Sequence, residues 1–81
     1  MSQISCQIGA LWDADAKVWI AKSEDVPGLA TEADTLEALT KKLRIIVPEL
    51  LQLNQVIPDD QASTIAIELT SHRQEIIQVA A

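Results

Sequence analysis

Two incompatible periodicities divide this chain. Ile4, Cys6, Ile8, Ala10 and Trp12 recur at every second residue, with Ser5, Gln7, Gly9 and Leu11 between them. Such alternation puts the two sets on opposite faces of a half-buried strand. Leu36, Leu39, Leu43, Ile46, Val47, Leu50 and Leu53 recur at intervals of three and four. At 3.6 residues per turn they fall within an arc of about 120°, one face of a helix. Neither pattern can be threaded through the other's geometry, so the chain must combine sheet and helix.

The segments between them supply the rest. Asp13-Ala14-Asp15-Ala16 reads as a turn, because Asp hydrogen-bonds its own downstream backbone. Lys17 to Ser23 is then the returning strand of a hairpin, with Val18 and Ile20 expected toward the core and Trp19 on the opposite face. The side taken by Trp12 depends on the turn length. Pro27 removes a ladder donor and extends Val26, while Gly28 suits the positive φ of a type II turn. Leu29 to Ala33 follows as a short third strand. Asp34 is the expected helix N-cap, with Glu37 at the spacing of a capping box. The helix is expected from Thr35 to about Asn54, kinked at Pro48. Ile45 lies opposite the apolar stripe, exposed or in a contact. Asn54 to Gln61, with Pro58-Asp59-Asp60, is a connector. Ser63 to Thr70 alternates again as a fourth strand beside the first hairpin. Ile76, Ile77 and Val79 form an apolar tail. The expected fold is α+β: an antiparallel sheet with one helix packed on one face.

The chain has 81 residues, room for a single modest core. It contains two Trp and no Phe or Tyr, so that core must be aliphatic. Twelve acidic against six basic residues give a formal charge of −6. This argues against a nucleic-acid surface, which needs clustered cations, and favours a basic partner. Cys6 is the single cysteine and sits in the apolar alternation, as a small buried hydrophobe would. No segment approaches the roughly 18 apolar residues of a membrane span, and Met1-Ser2-Gln3 does not open a signal peptide. The chain reads as cytoplasmic.

Chemistry is sparse. His72 is the only histidine, with no second ligand at metal-site spacing. Asp13 and Asp15 lack the glycine and terminal Glu of a calcium loop. Gly9 and Gly28 are isolated, so there is no phosphate cradle, and no Ser has an activating constellation. The expectation is a binding protein and not an enzyme, with no cofactor and no metal.

The ordered set Val18-Trp19-Ile20-Ala21, Asp25-Val26-Pro27-Gly28-Leu29 and Thr31-Glu32-Ala33-Asp34-Thr35-Leu36-Glu37-Ala38-Leu39 resembles the HicB-like antitoxin family. With Leu43-Arg44-Ile45-Ile46-Val47-Pro48-Glu49-Leu50-Leu51, it is more closely similar to a short bacterial subfamily of uncharacterised domains. The resemblance covers about residues 4 to 55 and, more loosely, the last strand. It implies a β-β-β-α-β fold that neutralises a small basic ribonuclease toxin by steric occlusion, the toxin being encoded by the adjacent gene. Members often add a C-terminal DNA-binding module. Residues 1–81 are expected to form a single HicB-like domain without one, and without direct nucleic-acid or membrane binding.

Trp19 is the expected partner-binding anchor, since Trp dominates binding hot spots. Leu11, Glu24 and Asp25 are expected beside it. Ile45, Ile76, Ile77 and Val79 are the expected contacts of a homodimer, because together they exceed the apolar surface a small monomer usually shows. Two alternatives stand: a homodimeric scaffold with no toxin partner, and a small-ligand module on the sheet.

Overall fold

A computed structural model describes residues 3–56 and 64–80. The elements run β1 (Gln3–Asp13), β2 (Val18–Lys22), β3 (Thr31–Ala33), α1 (Leu36–Leu53) and β4 (Thr64–His72). This is the α+β fold, β-β-β-α-β, with the helix packed on one face of a four-stranded sheet ordered β3-β2-β1-β4. Pro58-Asp59-Asp60 and Ser63 lie outside the described residues. Among the described residues, no helix is long and apolar enough to cross a membrane.

The sheet is mixed, which corrects the all-antiparallel expectation. β1 pairs antiparallel with β2, and β2 with β3, but β4 runs parallel to β1. Chain direction explains this. Two reversals leave β3 running the same way as β1. A helical crossover then returns the chain to the starting end of the sheet, so β4 enters parallel.

The hairpin closes through Asp13. Its Oδ1 accepts the N–H groups of Asp15 and Ala16 at 3.0 and 3.2 Å. Its carbonyl accepts the N–H of Lys17, which takes a positive φ of 59°. The Pro-Gly bend is a type II turn as expected. Gly28 has φ +79°, and the Leu29 N–H donates to the Val26 carbonyl at 3.3 Å. Val26 is fully buried, so this turn is pinned to the core. β3 is shorter than the expected Leu29–Ala33.

Helix α1 is capped by Thr35, one residue later than expected. The Thr35 side chain accepts the Ala38 N–H at 3.0 Å, satisfying a first-turn donor. At the other end Asn54 donates to the Leu50 carbonyl at 2.9 Å and to that of Pro27 at 3.4 Å, tying the helix to the bend. Pro48 lies inside the helix without ending it. It withdraws the donor for the Arg44 carbonyl, and Arg44 is itself on the exposed side.

The buried stripe is Leu39, Leu43, Val47 and Leu51. Successive members of this i, i+4 row are offset by only about 40°, so the row meets the sheet as one ridge. Leu53, expected in the stripe, is instead 78% exposed, because it lies about 100° round from the centre of that row. Against the ridge stand Cys6, Ile8 and Ala10 of β1, Ala21 of β2 and Ala33 of β3, all buried. Ile45 is exposed, as expected. After β4, residues 73–80 run on without regular secondary structure and exposed throughout.

Leu43→Ala removes a fully buried side chain from the middle of the ridge, and should lower unfolding free energy by about 2–5 kcal/mol. Chemical denaturation monitored by helical circular dichroism measures it. An unchanged midpoint would mean that the ridge is misplaced.

Candidate partner-binding surface

The cross-strand register decides which side chains share the sheet face away from the helix. β1 alternation sends Cys6, Ile8 and Ala10 to the helix and Gln7, Gly9 and Leu11 outward. Leu11 pairs with Ile20 and with His72, Gly9 with Lys22 and with Thr70, and Gln7 with Glu68. Ile20 also pairs with Glu32. Directly opposed residues point to the same face. The outer face therefore carries Leu11, 42% exposed, beside half-buried Ile20, with Glu32 next to Ile20, His72 next to Leu11, and Lys22 and Glu68 farther along the strands.

Next to this apolar centre the face is hollow. Gly9 has no side chain, and a Cβ built there would meet only the Lys22 carbonyl, at 3.8 Å. Gln7, Gly9, Lys22 and Thr70, with Ser23, Glu24 and Asp25, line an open depression of about 540 Å³. The Ser23–Asp25 rim is held by hydrogen bonds where β2 has ended. Ser23 Oγ donates to the Gln7 carbonyl at 2.7 Å and accepts the Asp25 N–H at 3.0 Å. Asp25 Oδ2 accepts the Gln7 N–H at 2.8 Å. The two side chains thus continue the β1 ladder beyond the last backbone pair. Asp25 is tied to the fold by this bond, whereas Glu24 projects from the rim, exposed. Among the described residues Glu24, Glu32 and Glu68 form no ion pair; Arg73 and Glu75 do, at 2.5 Å.

Of the expected anchor set, the fold brings Leu11, Glu24 and Asp25 to one face and removes Trp19 from it. Trp19 is only 8% exposed and belongs to the core, while Val18 and Ile20 face outward. The reason is register. The four-residue loop 14–17 aligns Trp19 with Trp12, and Trp12 lies on the helix side of β1. The two rings pack with centroids 5.2 Å apart at a tilt of 58°. The Arg73 guanidinium sits 4.2 Å above the Trp12 ring, a cation–π contact that closes the stack. Sequence reasoning did not select Ile20, Gly9, Lys22, Glu32 or Glu68 as a surface. An isolated glycine inside a strand was the one available signal for the hollow.

Cys6 is buried on the helix side, as expected. Burial, and secondarily the nearby Asp25 carboxylate, push its thiol above the ordinary value of 9.0. The protonated thiol is therefore favoured in the folded state. Its stabilisation is fully present below pH 9.0 and is lost as pH rises through the higher folded value. Among the described residues, no cluster of three or more His, Cys, Asp or Glu is placed to hold a metal ion.

A family model described as "Domain of unknown function (DUF1902)" matches residues 5–80. The chain is also similar to the crystal structure of hypothetical protein TTHA1013 from the extremely thermophilic bacterium Thermus thermophilus. The two are 45% identical, with a TM-score of 0.74, over 90% of this chain and 99% of that one. No curated protein matches.

Two outcomes test these placements. Trp19→Ala should destabilise the fold by about 3–5 kcal/mol, the range for emptying a buried aromatic site, read from the denaturation midpoint. Cys6 should resist a thiol-specific disulfide reagent at pH 8 in the native protein and react at once in denaturant. Fast native reaction would contradict its burial.

Proposed function

We propose that this chain, which belongs to the DUF1902 family, is an antitoxin-like protein-binding module of HicB-like type. In this reading it neutralises a small basic ribonuclease toxin by covering the toxin's site. The observation that carries the proposal is the outer sheet face: an apolar Leu11–Ile20 centre with Glu32 beside it and, farther along the strands, Glu24, Asp25 and Glu68 against, among the described residues, the single cation Lys22, a net negative surround. An apolar core with a charged rim is the composition of a protein-binding patch, and the rim's sign suits a cationic partner. The overall charge of −6 adds long-range steering of the same sign. The order of motifs from Val18 to Leu39 supplies the likeness to antitoxins. The chain acts by occlusion and performs no chemistry of its own.

A second reading, a homodimeric scaffold with no toxin partner, is favoured by one observation: Ile76, Ile77 and Val79 are each more than 80% exposed.

The test is co-expression with the product of the adjacent gene, followed by copurification and an RNA-cleavage assay. The two proteins should copurify, and cleavage by the partner should be suppressed. Leu11→Asp, at an already exposed position, should weaken binding by at least about 2 kcal/mol if Leu11 is a hot spot. Association should slow as salt rises, because the carboxylate rim acts on encounter. If the proteins neither copurify nor alter cleavage, the antitoxin reading fails and the scaffold reading replaces it.

A further inference from the structure

The helix side of the sheet is incompletely covered at β4. Leu43, Arg44, Val47 and Pro48 of α1 and Ile65 and Ile67 of β4 line a mostly apolar groove of about 140 Å³. An apolar cavity of roughly 150 Å³ accommodates a benzene ring, so this space can take aliphatic side chains. β4 is also the outer strand of the sheet, beyond which no described strand pairs. Its free edge presents nine residues of alternating backbone donors and acceptors.

The segment after β4 has the opposite character. Ile76, Ile77 and Val79 are 88%, 81% and 92% exposed. Thr64 to Ala80 would span about 56 Å fully extended, and the molecule measures 63 Å along its longest axis and 19 Å across. The segment therefore leads away from the body as an arm, starting where Arg73 is held over Trp12. It stays clear of its own groove, whose lining includes none of residues 73–80, and folded back it would bring only Val79, fully extended, as far as Ile67, and neither Ile77 nor Val79 as far as Ile65. From Arg73, Ile77 reaches at most about 14 Å and Val79 about 21 Å. Ile67 and Ile65 lie about 20 and 26 Å back along β4 from the same point.

We infer that the groove and β4 edge of one copy receive the arm of a second copy, in a reciprocal two-fold dimer. Residues 64–80 of the two chains pair antiparallel about His72. In that register Ile77 of each copy lies opposite Ile67 of the other, and Val79 opposite Ile65. β4 alternation puts Ile65 and Ile67 on the helix side, so Ile77 and Val79 enter the groove; Ile76 falls on the outer face, opposite Glu68. The contact is isologous, pairs both exposed edges, and covers apolar surface on arm and groove together. Ile45, on the far side of α1, takes no part. The outer sheet face stays open, so dimerisation does not depend on the toxin-binding reading.

Sedimentation equilibrium of the full chain between about 1 and 100 µM should give a dimer, concentrations at which a specific interface of this kind is expected to be populated. The double variant Ile77→Asp, Val79→Asp changes only exposed positions, so it should keep the wild-type circular dichroism and weaken dimerisation by roughly tenfold or more. In a Cys6→Ala background, a mixture of Val79→Cys and Ile65→Cys chains should form an interchain disulfide on oxidation, since opposed residues of an antiparallel pair are about 5 Å apart at Cα. A monomeric wild type overturns the inference. So does a dimer that the double variant leaves intact, or a mixture that does not cross-link while remaining dimeric.

Discussion

One helix must cover four strands. A helix with its side chains is about 10 Å across, and strands lie about 4.8 Å apart, so a single helix shields little more than two of them. α1 settles nearest β3 and β2. The remaining consequences follow from that position. β1, central in the sheet and flanked on both edges, buries Cys6, Ile8 and Ala10 almost completely. β4, at the margin, keeps Ile65, Ile67 and Leu69 only half-buried and leaves the groove beside Pro48.

The same shortage of cover explains how the aromatics are used. With no Phe or Tyr, the two Trp side chains are the largest apolar groups available. Both lie on the helix side of the sheet at its β1–β2 end, where they pack on each other and Arg73 closes over Trp12. The stack thus supplements the helix in shielding that end. It also fixes where the chain leaves the sheet after β4, and so connects core packing to the course of the exposed arm.

The two surfaces singled out are physically distinct. The outer sheet face has an apolar centre with a surround in which, among the described residues, carboxylates outnumber the one lysine, Lys22, a composition suited to encounter with a cationic protein. The groove on the helix side is apolar apart from Arg44 and adjoins an unpaired strand edge, which suits a segment that supplies both backbone hydrogen bonds and aliphatic side chains. Because the sheet lies between them, both can be occupied at once.

Periodicity in the sequence was enough to determine the strands, the helix, their order, the type II turn at Pro27-Gly28, the burial of Cys6 and the exposure of Ile45. These depend on local geometry, on i+2 and i+4 spacing and on the φ range of single residues. Tertiary structure decided what local geometry leaves degenerate. The hydrophobicity of Val18 and Ile20 argued for one face of β2, but the loop with Lys17 in the left-handed region set the register and turned Trp19 inward. Thr35 displaced Asp34 as the cap, and Leu51 displaced Leu53 in the ridge, because the direction from which the sheet meets the helix selects the row. The parallel course of β4 came from the helical crossover. The union of Leu11, Gly9, Glu24, Glu32 and Glu68 on one face, and the separation of the arm from its own groove, arise only when segments distant in sequence are brought into register. That is a property of strand pairing and not of any one segment.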